Sequence, residues 1–381
     1  MASPRTTTSR RKTRPQKRVP QQDVEEEEAG WTEAYLRSQL KDVDFSKVLD
    51  LSNKTLQEIP PSVFNIKEVE MLDVSDNPLG SIPVSIANLS NLKEMKATGC
   101  ELREISGNIS KCKFLGKIDL SHNPDIATLP VTMKQLAYLK YVTMSSCKLK
   151  SLPTNLSLLA KVETLDLSKN ALMTLPSDIS GLKRMKVLVL NDNAFESLPE
   201  SIKSLGRLDR LEMKRNKLNN GQGDLRLNVP SKLKILDLED NCSLALVPDG
   251  LENLEVIEGL NFSYCGIQTV PDSIGQISSL KEIHLAGSKL RKLPDSFGRL
   301  LNLETLDLEG SLRLSSLPLS LHHLRKLKDK ETGTNTGLVM DNVPALDIPE
   351  PKIVKEGVVS VLSELLAEDS INSVTANVAA E

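Results

Sequence analysis

The sequence predicts an α/β solenoid in the shape of a right-handed horseshoe, with a parallel sheet on its concave side, short helices on its convex side and a helical cap at each end. The pattern L-x-x-L-x-L-x-x-[NC]-x-L recurs thirteen times at intervals of 23 to 25 residues. Aromatic residues make up only 3% of the 381 residues, which suits an interior filled by repeating aliphatic side chains. The units start at Ser46, Val69, Leu92, Leu115, Leu139, Val162, Met185, Leu208, Leu233, Ile257, Leu280, Leu303 and Leu327.

One unit, which begins with residues 162–170, shows how each repeat is expected to fold. Leu165 and Leu167 alternate with polar residues, a pattern typical of a short strand with one buried face. Pro176 then ends the extended segment, and Ile179 begins a helically spaced apolar pair that docks a convex helix onto the leucines. One unit cannot bury its apolar face alone, so the stacking of neighbouring units provides the core.

The ninth position of most units holds asparagine or cysteine. Asparagine can satisfy backbone groups of the turn between adjacent coils, and cysteine is a small side chain that tolerates burial. We therefore predict a buried structural ladder. The cysteines lie in separate units without the spacing of metal ligands, so no metal site is predicted. The ladder residues are Asn77, Cys100, Asn123, Cys147, Asn170, Asn193, Asn216, Asn241 and Cys265.

The chain divides into five segments. Residues 1–30 carry seven Arg or Lys followed by five acidic residues, which indicates a disordered basic-then-acidic tail. Residues 31–45 are predicted to form an N-terminal capping helix, and residues 46–350 the repeats. In residues 351–366 apolar side chains recur every four positions, which indicates a C-terminal capping helix or, alternatively, a partner-binding helix. Residues 367–381 are predicted to be a second disordered tail.

The units resemble the 23-residue class of intracellular leucine-rich repeat. The residues that carry the resemblance are Ser151–Pro153, Leu165–Asn170 and Leu198–Ile202, together with Pro351–Gly357, which is similar to the P-x-x-I-V-x-x-G closing segment of the class. The class includes Ras-pathway scaffolds, Ras-suppressor proteins, plant intracellular Ras-group proteins and the Scribble and Erbin type. The resemblance covers about residues 46–366. It implies a right-handed leucine-rich-repeat horseshoe that acts as a scaffold for small GTPases, phosphatases or polarity complexes.

Charge and composition exclude several classes of function. The total charge of −3 includes +7 in residues 1–20 and −5 in residues 21–30, which leaves −5 for residues 31–381. Duplex nucleic acid needs a clustered basic face, so no nucleic-acid partner is predicted. No stretch reaches the roughly 18 apolar residues of a membrane span, and no signal-peptide core is present, so a cytoplasmic protein with free thiols is expected. The basic run Arg10–Arg18 leaves open nuclear import, tethering to the inner membrane surface or an organelle transit peptide, beside a solvated tail.

The concave face should present positions three, five, seven and eight of each unit. Position five is acidic in eight of the thirteen units, and such a column is either solvated and screened or offset by a partner. Arg210, Lys214 and Arg215 interrupt this column, and they can also pair with neighbouring acids. We predict that a protein partner binds at this bipolar centre, because arginine, tyrosine and exposed valine favour interface burial. The predicted partner-binding residues are Val187, Val189, Asp192, Arg210, Glu212, Lys214, Arg215, Asp237, Glu239, Asp240, Tyr264 and His284.

The remaining motifs concern phosphatases and catalysis. Lys41–Phe45 resembles the Lys-x-Val-x-Phe docking motif for protein phosphatase one, although Phe45 is expected to pack under the first strand. No H-E-x-x-H, G-x-S-x-G or phosphate-loop motif occurs, so neither catalytic residues nor a cofactor are predicted. The sequence therefore predicts a non-catalytic scaffold that binds a signalling protein, such as a small GTPase or a phosphatase, on its concave face. The alternative is a structural or localising module that acts through its tails.

Overall fold

The computed structural model describes residues 30–219, 227–329, 337–349 and 351–378. It confirms the predicted horseshoe solenoid. Fourteen strands form one continuous sheet in chain order, and every neighbouring pair is parallel except the first. Residues 1–29 of the tail predicted over residues 1–30 lie outside the described residues.

The strands are short and follow the repeat period. Most contain three residues, and two of them, β4 and β6, pair with each other in a separate two-stranded sheet. The strands are β1 Lys41–Val43, β2 Ser46–Asp50, β3 Met71–Asp73, β4 Ser81–Ile82, β5 Glu94–Lys96, β6 Glu104–Ile105, β7 Lys117–Asp119, β8 Tyr141–Thr143, β9 Thr164–Asp166, β10 Val187–Val189, β11 Arg210–Glu212, β12 Ile235–Asp237, β13 Gly259–Asn261, β14 Glu282–His284, β15 Thr305–Asp307 and β16 Leu338–Val339.

The short convex helices of the described repeats are of the 3₁₀ type. Each has only three to five residues, so i→i+3 bonds such as that from the Leu182 N–H to the Ile179 carbonyl (3.0 Å) close a single turn. A proline precedes most of them, where its fixed φ suits the chain entering the turn. The helices are Pro61–Asn65, Val84–Asn88, Gly107–Lys111, Val131–Gln135, Leu156–Leu158, Ser177–Gly181, Glu200–Ser204, Leu251–Asn253, Asp272–Gln276, Asp295–Arg299 and Leu319–His323.

Strand register stacks the leucines of successive repeats on one another. Leu165, Leu188 and Leu211 are aligned across β9, β10 and β11, and all three are fully buried. The same stacking continues from repeat to repeat, so that one apolar core runs along the solenoid. Because each repeat contacts only its neighbours, the stability of the whole depends on every junction between repeats.

The asparagines at position nine form hydrogen bonds to two turns at once. The Asn123 Oδ1 accepts from the N–H groups of Cys100 (3.0 Å) and Leu102 (2.9 Å), and its Nδ2 donates to the carbonyls of Ala97 (2.8 Å) and Leu120 (2.8 Å). Cys100, at the same position, donates its thiol to one carbonyl of the preceding repeat at 3.1 Å. A thiol has no oxygen with which to accept the two N–H groups, so a cysteine junction has fewer bonds than an asparagine junction.

Position eight adopts left-handed backbone in each of the first twelve repeats, with φ between 49° and 65°. Glycine, asparagine and aspartate tolerate this conformation, and several repeats have them. Lys169, Arg215 and Tyr264 do not belong to that group, and each carries steric strain of roughly 1–2 kcal/mol. The left-handed residue turns the chain out of the strand and sets the direction of the side chains at the rim of the concave face.

The N-terminal cap differs from the helix predicted over residues 31–45. Helix α1 spans only Glu33–Ser38, and β1 then pairs antiparallel with β2. Asp44 and Phe45 form the tight turn between these strands with φ of 47° and 63°, values that an α-helix cannot contain. Phe45 is fully exposed at this turn, so the expectation that it packs under the first strand is wrong.

The C-terminal cap consists of α2, Pro351–Val354, and α3, Val358–Val378. Val361 and Leu365 are buried where α3 packs against the last 3₁₀-helix. The helix end predicted at residue 366 and the disorder predicted from residue 367 to 378 are wrong, because helix formers such as alanine and glutamate continue the helix there. None of the described helices is long and apolar enough to cross a membrane.

We expect Asn123→Ala to lower the free energy of unfolding by roughly 3 kcal/mol, because it leaves buried N–H and carbonyl groups in two repeats without partners. Urea unfolding followed by circular dichroism measures the change. Asn91→Ala is the matched control, since Asn91 is exposed and makes a single bond to the Lys67 carbonyl (3.0 Å). If the free energies of unfolding of the two variants were equal, Asn123 would not have the stabilising role that we assign to the ladder.

Candidate partner-binding site on the concave face

The residues predicted to bind a partner lie on five adjacent strands, β10 to β14, or in the turns that follow them. In-register pairing aligns Val187 with Arg210 and Arg210 with Ile235. It also aligns Val189 with Glu212, which in turn is aligned with Asp237. These residues are therefore neighbours on the middle of the concave face.

Three apolar side chains, which we call the apolar strip, lie on either side of Arg210 and Glu212 in this middle region. Val187, Val189 and Ile235 are each partly exposed on the concave side. Val189 is the only apolar residue among the thirteen at position five. The sequence analysis did not include Ile235; the signal that identifies it is an apolar residue at position three of the ninth repeat, the position of Val187 in the seventh.

Lys214 is the centre of a charged cluster beside the apolar strip. Its Nζ lies 2.9 Å from a carboxylate oxygen of Asp237 and 2.8 Å from one of Glu239. Asn191, a second residue that sequence reasoning missed, accepts from the Lys214 backbone N–H (2.8 Å) and donates to Glu212 (3.0 Å). Hydrogen bonds thus connect the seventh, eighth and ninth repeats across the concave face.

The two arginines of the cluster are also paired. The Arg215 Nε and Nη2 donate to the two carboxylate oxygens of Asp192 at 2.6 and 2.8 Å. The Arg210 Nε donates to Glu212 at 2.6 Å. Asp240, at position eight of the ninth repeat, adds to the negative field around Arg215. The basic residues predicted to interrupt the acidic column therefore pair with it, and each guanidinium retains N–H groups that these bonds do not use.

Burial and pairing shift the pKa values of the cluster in different directions. Burial raises the pKa of Asp237 above the ordinary carboxyl value, although Lys214 opposes the shift. Arg215 lowers the pKa of Asp192. Burial acts to raise the pKa of Glu212, but hydrogen bonds from its neighbours outweigh it and the pKa is lowered. The negative charge of Asp237 is therefore the one that depends most on its lysine partner.

Tyr264 and His284 extend the site by two repeats. The Tyr264 ring is half exposed and lies over Gly287, where a Cβ atom would come within 2.6 Å of the ring Cδ1. The His284 Nδ1 lies 3.4 Å from a carboxylate oxygen of buried Asp307. The glycine therefore allows the tyrosine ring to lie flat beside the cluster.

The acidic residues of position five have a structural role that the sequence analysis did not anticipate. The Asp166 Oδ1 accepts from the backbone N–H of Ser168 at 2.8 Å, and this bond stabilises the turn at the end of the strand. Asp237 and Asp307 are 6% and 1% exposed, so these two are not solvated. The same bond joins Ser52 to Asp50, Ser75 to Asp73, Ser121 to Asp119, Glu239 to Asp237 and Glu309 to Asp307.

The site presents partly exposed apolar side chains beside charges of alternating sign. Within the described ranges, no group of three or more His, Cys, Asp or Glu side chains is placed to hold a metal ion.

Comparison with known proteins agrees with the class of protein that the fold defines. The Leucine Rich Repeat family model matches residues 68–89. A solved leucine-rich-repeat protein of Leptospira interrogans is 23% identical with a TM-score of 0.50, and the match covers 84% of this chain and 93% of that chain. None of the curated proteins compared with the chain matches it. The chain therefore has the leucine-rich-repeat fold.

Two further solved structures share the fold. The Toll–Spatzle complex of Drosophila has a TM-score of 0.60 at 19% identity, over 80% of this chain and 43% of that chain. The functional domain of InlJ from Listeria monocytogenes, described as including a cysteine ladder, has a TM-score of 0.56 at 17% identity, over 80% of this chain and 64% of that chain. This chain thus spans less than two thirds of either structure. Solenoids of this kind generally act as protein-binding scaffolds without catalysis.

We expect Lys214→Met to lower the free energy of unfolding by about 2 kcal/mol at pH 7, because it leaves the Asp237 carboxylate buried without its partner. The raised pKa of Asp237 means that its ionisation costs stability as pH rises through its unfolded and then its folded pKa. Loss of the lysine increases that cost, so the destabilisation relative to wild type should shrink at pH 4.

Urea unfolding at both pH values measures this effect. The control is Lys234→Met, since Lys234 pairs with Asp209 at 3.4 Å on an exposed surface and should change stability by less than about 0.5 kcal/mol. A destabilisation by Lys214→Met that is the same at pH 4 and pH 7 would show that the Asp237 charge is not its cause.

Proposed function

We propose that this chain is a non-catalytic scaffold that binds a signalling protein, a small GTPase or a protein phosphatase, at the centre of its concave face. The observation that carries the proposal is the apolar strip of Val187, Val189 and Ile235 beside a cluster of paired charges. Protein interfaces have the same organisation, in which an apolar core is surrounded by a polar rim. Arginine and tyrosine, both present here, are common anchors of such interfaces.

The pairing of the charges supports binding because it orders side chains before a partner arrives. Arg215 is held by two bonds to Asp192, and Lys214 by two carboxylates. Ordering of long side chains opposes association, so a surface that is already ordered binds with less loss of entropy. The alternation of charge across three strands would also favour one complementary partner over others.

The identity of the partner is the finer part of the proposal. The small-GTPase assignment rests on the resemblance of units such as Leu165–Asn170 to the Ras-pathway class. Toll, which has the same fold, was solved in complex with Spatzle. A cytoplasmic location and a role in signal transduction belong to the same proposal. The alternative role, a structural or localising module that acts through its tails, depends on residues 1–30 and 367–381, of which residues 1–29 and 379–381 lie outside the described residues.

A specific observation favours the phosphatase assignment. Phe45 is fully exposed and Val43 is 47% exposed, so the two apolar residues of the Lys41–Phe45 motif are accessible. Among the described strands, Lys41–Val43 lies at the end of the main sheet and pairs with β2. Extended segments of this kind can pair with the edge of a partner's sheet.

We expect Val189→Asn to weaken binding of the concave-face partner by about 30-fold, the effect of losing roughly 2 kcal/mol at an interface centre. The substitution should keep the fold, because the tenth repeat already has an asparagine, Asn261, at position five. Its Oδ1 accepts from the Ser263 N–H at 2.9 Å. Quantitative affinity purification from cell lysate, followed by titration of the purified partner, measures the effect.

The control for this experiment is Val84→Asn, on the convex side, where Val84 is 64% exposed. A partner that is lost from Val189→Asn and retained by Val84→Asn supports the proposal. If both variants retain every partner, the concave centre is not the binding site.

A separate test addresses the phosphatase. Phe45→Ala should abolish measurable binding to the purified catalytic subunit of protein phosphatase one and leave the circular-dichroism spectrum unchanged, because the ring is fully exposed. Leu301→Ala, at another exposed apolar residue (59%), is the control. Equal phosphatase binding by wild type and Phe45→Ala would exclude the Lys41–Phe45 segment as the docking motif.

A further inference from the structure

Side chains at equivalent positions of successive repeats form a row along one rim of the sheet, on the side of the N-terminal ends of the strands. The residue directly before each unit lies in the same turn in successive repeats, closed by bonds such as that from the Met185 N–H to the Leu182 carbonyl (3.1 Å). We call six consecutive members, from the fourth to the ninth repeat, the entry row. They are Phe114, Tyr138, Lys161, Arg184, Arg207 and Lys232.

At this place in other repeats, polar side chains have partners. Glu68 lies 2.8 Å from Arg37. Asn302 donates to the Ser278 carbonyl at 2.8 Å, and Lys326 donates to Asn302 at 2.6 Å. The last contact joins members of adjacent repeats, so side chains in this row are within reach of one another.

Within the entry row the arrangement is different. Phe114 and Tyr138 lie against each other with ring centroids 6.1 Å apart, and they are 51% and 57% exposed. The four basic side chains that continue the row are all exposed. In the part of the chain that the structure describes, none of the four has an ion-pair partner. The chain has a net charge of −3, so this is a local concentration of positive charge.

In the adjacent row, two residues further along the chain in each repeat, the acidic side chains pair with lysines of the same row. Lys186 and Lys140 lie 2.8 and 3.6 Å from Glu163, and Lys234 lies 3.4 Å from Asp209. These nearby carboxylates are therefore already engaged with other lysines. Like charges on adjacent strands, about 5 Å apart, repel one another, and an external anion would relieve that repulsion.

We propose that the entry row binds an extended acidic segment of another protein. Its carboxylates would pair with the four basic side chains, and an apolar side chain would pack on Phe114 and Tyr138. Six strands at about 4.8 Å spacing span roughly 24 Å, the length of about seven extended residues. The entry row lies on the rim of the sheet and not on its concave face, so this proposal does not depend on the proposed function of the concave face.

Two other polyanions fit the row less well. Insertion into a membrane requires apolar side chains that project from the surface, whereas the Phe114 and Tyr138 rings are half-buried against each other. Proteins that bind single-stranded nucleic acid distribute aromatic side chains along the basic surface to stack successive bases. Here both aromatic residues lie at one end, which suits a peptide with one apolar side chain and a run of acids.

The experiment measures fluorescence anisotropy of a labelled synthetic peptide, one leucine followed by about seven glutamates, titrated with the full chain. The double variant Arg184→Glu, Arg207→Glu should bind at least tenfold more weakly than wild type, and wild-type binding should weaken as salt is raised. The matched control is Arg291→Glu, Arg313→Glu, which makes the same change of charge at exposed arginines outside the row and should bind within about twofold of wild type.

Tyr138→Ala tests the apolar end of the row. It should weaken the leucine-containing peptide about threefold or more and leave a peptide with glycine in place of leucine unchanged. Val189→Asn should bind the peptide like wild type, so a failure here is distinct from a failure of the concave site.

Three results would overturn the proposal. The first is equal weakening by both double variants, and the second is peptide binding that does not exceed that of a glutamine analogue. The third is that wild type binds only phosphatidylserine vesicles or a thymidine oligonucleotide of equal charge, and that the Arg184→Glu, Arg207→Glu variant loses this binding.

Discussion

In six of the described repeats an asparagine amide at position nine joins the repeat to the one before it, and the register of the fold depends on these junctions. Asn123 bonds to N–H and carbonyl groups of two successive turns, so it determines how far apart and in what register they lie. The strands can then pair position by position, and the leucines stack into one core. The concave face, with its aligned valines and charges, is a consequence of that register.

Much of the fold could be predicted from the sequence because its determinants repeat. Apolar side chains recur at positions four and six of the first twelve units, and Asn or Cys recurs at position nine in ten of the thirteen. An irregular unit can therefore be recognised from its neighbours. The caps occur once each and have no such redundancy. Phe45 was expected to be buried, yet the turn with Asp44 leaves it exposed.

Less of the candidate site could be predicted, since it depends on pairings between residues about 23 positions apart. The sequence places Arg215 and Asp192 on neighbouring strands, but only the rotamers decide that they form two bonds. The Asp166 carboxylate was expected to be solvated or partner-bound, whereas it accepts a backbone N–H two residues later. The entry row escaped notice because the repeat pattern starts one residue after it.

The distribution of cysteine at position nine has a mechanical consequence. At Cys100, Cys147 and Cys265 one thiol contact reaches the preceding repeat, whereas Asn123 makes three bonds to it, so bending of the horseshoe should be easiest at the cysteine junctions. Between Cys147 and Cys265, four consecutive repeats have asparagine, and this block contains most of the concave cluster. We therefore expect the horseshoe to be stiffer in its middle than on either side. Its ends could then adjust around a partner that is bound at the centre.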